Sequence, residues 1–252
     1  MIIDADTHIS PTNDVNTIKV EELIAQMDRS NVDKAVCWLQ PPYMRTIDTS
    51  LEYIYESVKR FPDRLLGFGW VDPHFGIEEG RDTVKKCLAE YGFYGVKLNG
   101  AQNSFPIDDE KMSLPIIEEI AKAGSILAFH IGADEYNFTH PSRAANIARR
   151  FPEMAILMVH MGGVSSPDLS SVCIDLAEEC KNMHLVGSCV RYTSVVKAIR
   201  KLGASRVSFG SDTPFSIMHS DVLAYQAFLT DYFTGEDQKL VMGENIRKLF
   251  KI

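Results

Sequence analysis

Residues 2–10 read IIDADTHIS, and the fold turns on what this stretch contains and what it lacks. It opens apolar, as a buried strand does, and closes on Asp6, Thr7 and His8. It has no glycine, whereas a doubly wound nucleotide-binding sheet wants a glycine-rich phosphate loop directly after its first strand. The i, i+2 spacing of Asp6 and His8 sets both side chains on one face of that strand.

Working outward, the same kind of short apolar run recurs. KAVCWL (34–39), LLGFGWV (65–71), FYGVKLN (93–99) and SILAFHI (125–131) read as strands two to five. AILMVHM (155–161), HLVGSCV (184–190) and RVSFGSD (206–212) read as strands six to eight. Between them lie stretches with helical spacing, such as VEELIAQMDRS (20–30), TSLEYIYESVKRF (49–61) and YTSVVKAIRKLG (192–203). Two more, SDVLAYQAFLTDYF (220–233) and QKLVMGENIRKLF (238–250), follow the last strand. Near-continuous apolar strands are those of a parallel sheet covered on both faces, and eight is the number that closes a barrel. A barrel of this kind takes about 250 residues. The pattern therefore predicts one (β/α)8 TIM-barrel domain over residues 1–252 with a C-terminal helical extension.

Composition excludes several classes. The chain is 45% hydrophobic and 24% charged, ordinary for a soluble globular protein, so its core needs no structural metal and a metal would serve chemistry. Its formal net charge is −8 and no Lys/Arg run stands out, which argues against a nucleic-acid partner. No apolar run approaches the roughly 18–20 residues that span a bilayer, and MIIDADTHIS does not read as a signal peptide, so no membrane association is expected. Cys37, Cys87, Cys173, Cys180 and Cys189 are scattered and odd in number, which points to a reducing cytoplasm rather than a disulfide framework.

Active sites of such barrels lie at the C-terminal ends of the strands. Strand one closes on Asp6 and His8, strand five on His130, strand six on His160 and strand eight on Asp212. Taken singly, each has a bland reading: His130 or His160 as a core histidine, Asp212 as a turn residue or helix cap. Jointly they converge on one rim with oxygen and imidazole donors suited to Zn²⁺, Mn²⁺ or Fe²⁺.

IDADTH, GVKL, FHIG, FPEMAILMVHMGG, FGSDTPF and the closing ENIRKLF together resemble the amidohydrolase superfamily. The resemblance is to its amidohydrolase-related branch, which includes aminocarboxymuconate-semialdehyde decarboxylase-like proteins, and it runs from Ile2 to the C-terminus. It implies one divalent metal, Zn²⁺ or alternatively Mn²⁺, held by Asp6, His8, His130 and Asp212. His160 would sit just off the metal, bonded to a bound water or the substrate. The family's usual first ligand is His, so Asp6 is a departure that makes the site harder and shifts the balance toward manganese. Lys97 lies near the place of the carboxylated lysine that bridges binuclear centres, but gripping an anionic substrate or forming a structural ion pair suits it better.

The resemblance implies a hydrolase first: a metal-bound water cleaving an amide, ester or lactone of a small carboxylated substrate, with Asp212 as the base and His160 stabilising the oxyanion. The alternative is decarboxylation of a small aromatic or unsaturated acid, with Asp212 or His160 protonating carbon. Asp6 favours that alternative, and the chain's compactness disfavours it. A barrel that has lost catalysis and only binds is a third class, against which stands the ligand capacity kept at all four positions. Trp70, Asn99, Lys97 and Arg191 are candidates for the mouth, Arg191 for its bidentate grip on a carboxylate. QPPYMR (40–45) is a candidate lid. Family habit suggests a homodimer, although no apolar stripe demands one.

Overall fold

The structure, a computed structural model, describes residues 1–12, 17–40 and 47–252. Apart from Gln40, the candidate lid lies outside the described residues.

Among the described residues, eight parallel strands alternate with helices. They are β1 (Ile3–Ile9), β2 (Lys34–Leu39), β3 (Leu65–Gly67, resuming as Gly69–Trp70), β4 (Gly95–Leu98), β5 (Ile126–Gly132), β6 (Ile156–Val164), β7 (Met183–Val186) and β8 (Val207–Ser208). The covering helices are α1 (Val20–Ser30), α2 (Ile47–Arg60), α3 (Ile77–Lys85), α4 (Leu114–Lys122), α5 (Pro141–Arg150), α6 (Ser170–Glu179), α7 (Tyr192–Leu202) and α8 (Met218–Tyr232). Each strand pairs with the next in parallel register, except that β3 pairs with β2 before Phe68 and with β4 after it. Closure runs between β8 and β1: the Ala5 amide donates to the Phe209 carbonyl at 3.0 Å, Asp212 to Asp6 at 2.8 Å and His8 to Thr213 at 2.8 Å. The (β/α)8 barrel expected from the strand count is the fold.

The period-2 alternation of strand side chains builds two separate cores. Ile3, Ala5, Val36, Trp38, Phe68, Ala128, Leu157 and Val159 fill the barrel, while Ala35, Cys37, Leu39 and Val96 face the helices. The C-terminal segment enters the inner cluster. The last helix, α10 (Asn245–Phe250, after the short α9, Gly235–Lys239), contributes Ile246 and Phe250, and the Phe250 ring stacks on Phe68 and Tyr94. Gly243 permits that entry, because a Cβ there would stand 2.7 Å from the Met1 carbonyl oxygen.

β7 and β8 are shorter than the apolar runs that predict them, for a local reason. The Tyr225 hydroxyl of α8 donates to the Gly187 carbonyl at 2.5 Å, and the Phe209 amide donates to Val241. Both groups thus bond outside the ladder. Among the described residues, no helix is long and apolar enough to cross a membrane.

Candidate active site

The strand ends meet at one rim of the barrel, but not by simple alternation. Ile3 and Ala5 point into the barrel, yet Asp6 and His8 also join the site. A register shift between Asp4 and Thr7 reconciles the two, since a bulge re-aims the side chains that follow it. Asp6 is fully buried, and its carboxylate accepts from Trp38 Nε1 at 3.0 Å and from Ser188 Oγ at 2.5 Å.

Three side chains are already gathered: Asp6, His160 and Asp212 each offer a ligand atom, all within 4.8 Å of one another, and form a candidate metal site. His8 stands beside them, with Nδ1 3.5 Å from Asp212 Oδ1 and 3.9 Å from Asp6 Oδ1. That nitrogen is buried and has no hydrogen-bond partner. Burial pushes His8 and His160 well below the ordinary histidine range, so both are neutral at neutral pH, the form that ligates metals. Burial first, and the charge of Asp6 second, push the Asp212 carboxyl well above its ordinary range. Two buried carboxylates facing an unpartnered imidazole nitrogen are a donor set that a divalent cation fits, since one ion would satisfy all three.

His130 is turned elsewhere. Its Nε2 lies 2.7 Å from Asp134 Oδ2, and its ring packs edge-on against His160 with centroids 4.6 Å apart. It lines the cavity without joining the three gathered groups. Lys97 is buried, with Nζ 3.4 Å from His8 Nε2, 4.0 Å from the centre of a Trp38 ring and 5.1 Å from that of Trp70. Burial lowers its pKa, against the pull of Asp6 and Asp212.

Backbone strain marks the same places. His160 and Asp212 adopt φ of 64° and 63°, in the left-handed region that non-glycine residues seldom occupy. After His160 the chain continues through Met161 at 36° to Gly162 at 86°, where a Cβ would stand 2.9 Å from the Leu169 carbonyl.

His8, Lys97, His130, His160 and Asp212 line the floor of a cavity of about 420 Å³, ordinary for a small-molecule site, with Asp6 buried beneath them. Its wall includes Trp70, Asn99, Gln102, Asp134 and Phe215. Trp70 is fixed by donating Nε1–H to Asn103, and Asn99 caps a short helical turn by accepting from the Gln102 amide. Arg191 is exposed at the start of α7 and is not among the cavity's lining residues. His140 caps α5, its ring nitrogen accepting from the Ser142 amide. Trp38 and Ser188 are site residues that sequence reasoning missed. The rule that found His130 and His160, asking what closes each strand, would have reached Trp38 on β2 and Ser188 just past β7.

A family model described as amidohydrolase matches residues 3–252, and the chain belongs to that family. Among solved structures it is similar to 5-carboxyvanillate decarboxylase from Sphingomonas paucimobilis, with 17% identity and a TM-score of 0.77 over 100% of this chain and 99% of that one. A dihydroxybenzoic acid decarboxylase from Polaromonas, with bound manganese and 2-nitroresorcinol, is 18% identical with a TM-score of 0.76, over 99% and 96% of the two chains. An uncharacterised TIM-barrel protein from Bordetella bronchiseptica reaches 0.81 at 15% identity, over 99% and 98%. Such identities carry the fold alone.

Hydrolysis, expected first from the sequence, is corrected on this point: the two structures above that are named for a reaction are both decarboxylases.

Proposed function

We propose that this protein is a divalent-metal-dependent, non-oxidative decarboxylase of a small aromatic carboxylic acid. The observation that carries the proposal is the convergence of Asp6, Asp212 and the unpartnered His8 Nδ1 at the base of a cavity that His8 and Asp212 line and that Trp70 and Phe215 flank. Asp6, His8 and Asp212 would hold the metal, with the packed pair His130 and His160 supplying a further imidazole. Two carboxylates make the donor set hard, which favours manganese over zinc. The ion would supply a Lewis acid that fixes and polarises the substrate's carboxylate.

The chain's own residues account for the rest. Trp70 and Phe215 bracket the aromatic ring, and the Lys97 ammonium, held against Trp38 and Trp70, attracts the substrate's negative charge. Asp212 carries the proton to the ring carbon that bears the carboxylate. The bond from that carbon to the carboxylate then breaks, its electron pair restores the aromatic ring, and carbon dioxide leaves. Asp212, now ionised, takes a proton from solvent through the cavity. Burial of Asp6, His8 and His160 keeps bulk water from competing for the proton.

The test is to load the purified chain with Mn²⁺ and offer 2,6-dihydroxybenzoate, 5-carboxyvanillate and related hydroxybenzoates, following released carbon dioxide. Lactones and amides of similar size are assayed in parallel. Carbon dioxide release that needs the metal is expected. Turnover of a lactone or amide, with every benzoate left intact, would sink the proposal.

A further inference from the structure

Beneath the cavity floor, three buried side chains are joined in series. Ser188 Oγ lies 2.5 Å from Asp6 Oδ2 and 3.0 Å from His160 Nδ1, and the Ser188 carbonyl oxygen lies 3.2 Å from the same Nδ1. All three residues are nearly or fully buried, so water cannot substitute for any of these contacts.

The hydrogens can be assigned by counting. A hydroxyl has one hydrogen and can also accept; a carbonyl oxygen only accepts. The short contact to Asp6 takes the Ser188 hydrogen, leaving Oγ as an acceptor toward Nδ1. The Ser188 carbonyl is a second acceptor facing the same nitrogen, so Nδ1 must carry the hydrogen that both receive. A neutral imidazole carries one hydrogen, so with that hydrogen on Nδ1 the other nitrogen, Nε2, is left with a lone pair. His160 also lines the cavity, which makes Nε2 the nitrogen available to whatever enters.

We infer that Ser188 is a positioning residue: it fixes His160 as the Nδ1–H tautomer and links that ring to the Asp6 carboxylate. His160 then meets a ligand as an acceptor and cannot give up a proton from Nε2, which leaves Asp212 as the proton carrier. Outer partners of this kind typically contribute about 10–100-fold to metal affinity or activity.

The experiment is nitrogen-15 NMR of the histidine rings in the full chain, metal-free and Mg²⁺-loaded, with His160 assigned by its loss in His160→Gln. A pyrrole-like Nδ1 and a pyridine-like Nε2 are expected; a hydrogen on Nε2, or on both nitrogens at neutral pH, overturns the inference. Ser188→Ala is then compared with wild type for Mn²⁺ affinity and for melting temperature without metal. A roughly 10–100-fold weaker affinity with a shifted His160 Nδ1 resonance supports the link. An affinity within twofold of wild type and an unmoved resonance remove it. Both NMR readouts stand even if no benzoate is decarboxylated, so failure of the proposed reaction and failure of this inference are told apart.

Discussion

Replacing Asp4 by Asn is expected to stabilise the metal-free protein at neutral and alkaline pH and to do little at pH 4. Asp4 is fully buried under the rim, where Oδ1 accepts from the amides of Asp6 at 3.0 Å and Ser211 at 2.9 Å. Oδ2 has no partner. Burial raises the carboxyl from 3.8 to about 7, against the hydrogen bonds from Ser211 and Asp6 that lower it. A raised carboxylate costs nothing where both folded and unfolded states are protonated. As pH climbs above 3.8 the unfolded chain ionises first, and stability is lost until the folded group ionises near 7. A shift of about three units at 1.36 kcal/mol each is about 4 kcal/mol. For a chain of this size that is roughly 8–16 °C in melting temperature. Asn keeps an oxygen for the two amides and cannot ionise, so it avoids the loss. Urea unfolding of both proteins from pH 4 to pH 8 should show a gap that opens with pH and levels off near 7. A gap independent of pH would refute the reasoning, because Oδ2 would then have to be ionised and satisfied in the folded state.

Three further outcomes are expected. Asp212→Asn should bind Mn²⁺ but lose about 10²–10⁴-fold in turnover, since an amide cannot deliver the proton; a metal-loaded Asn variant with wild-type kcat would remove Asp212 from that role. Lys97→Met leaves Asp6 and Asp212 buried without their nearby cation. Its charge acts on both carboxylates, so the metal-free variant should melt lower and recover on adding Mn²⁺, which calorimetry checks. Trp38→Phe removes the indole donor to Asp6, a bond to a charged group worth about 1.5–3 kcal/mol. Titration calorimetry should show Mn²⁺ affinity falling by about 10–100-fold, and an unchanged value would argue that Asp6 is held without Trp38.

What the sequence by itself determined is the barrel and the residue types at its rim. Parallel strands covered on both faces must be apolar throughout, so KAVCWL and AILMVHM announce themselves, and the helices between them carry the 3.6-residue period. Asp6, His8, His130, His160 and Asp212 were legible because polar groups ending apolar strands are costly unless they are used. Tertiary structure decided what those groups do to one another. The shifted register after Asp4 turns Asp6 inward beside His8, and no local pattern encodes it because it depends on pairing with β2. His130 and Asp134, four residues apart, bond to each other, while His160 gathers with Asp6 and Asp212. Arg191, a plausible grip in the sequence, is left exposed by the start of α7. Ser188 meets Asp6 across 182 residues of chain, and Trp38 meets it across 32. The Ser188 contact forms when the barrel closes, because closure brings β1 beside β8 and near the end of β7. Periodicity fixes which face a side chain takes; only closure fixes its neighbours, and with them the charge and proton that each group carries.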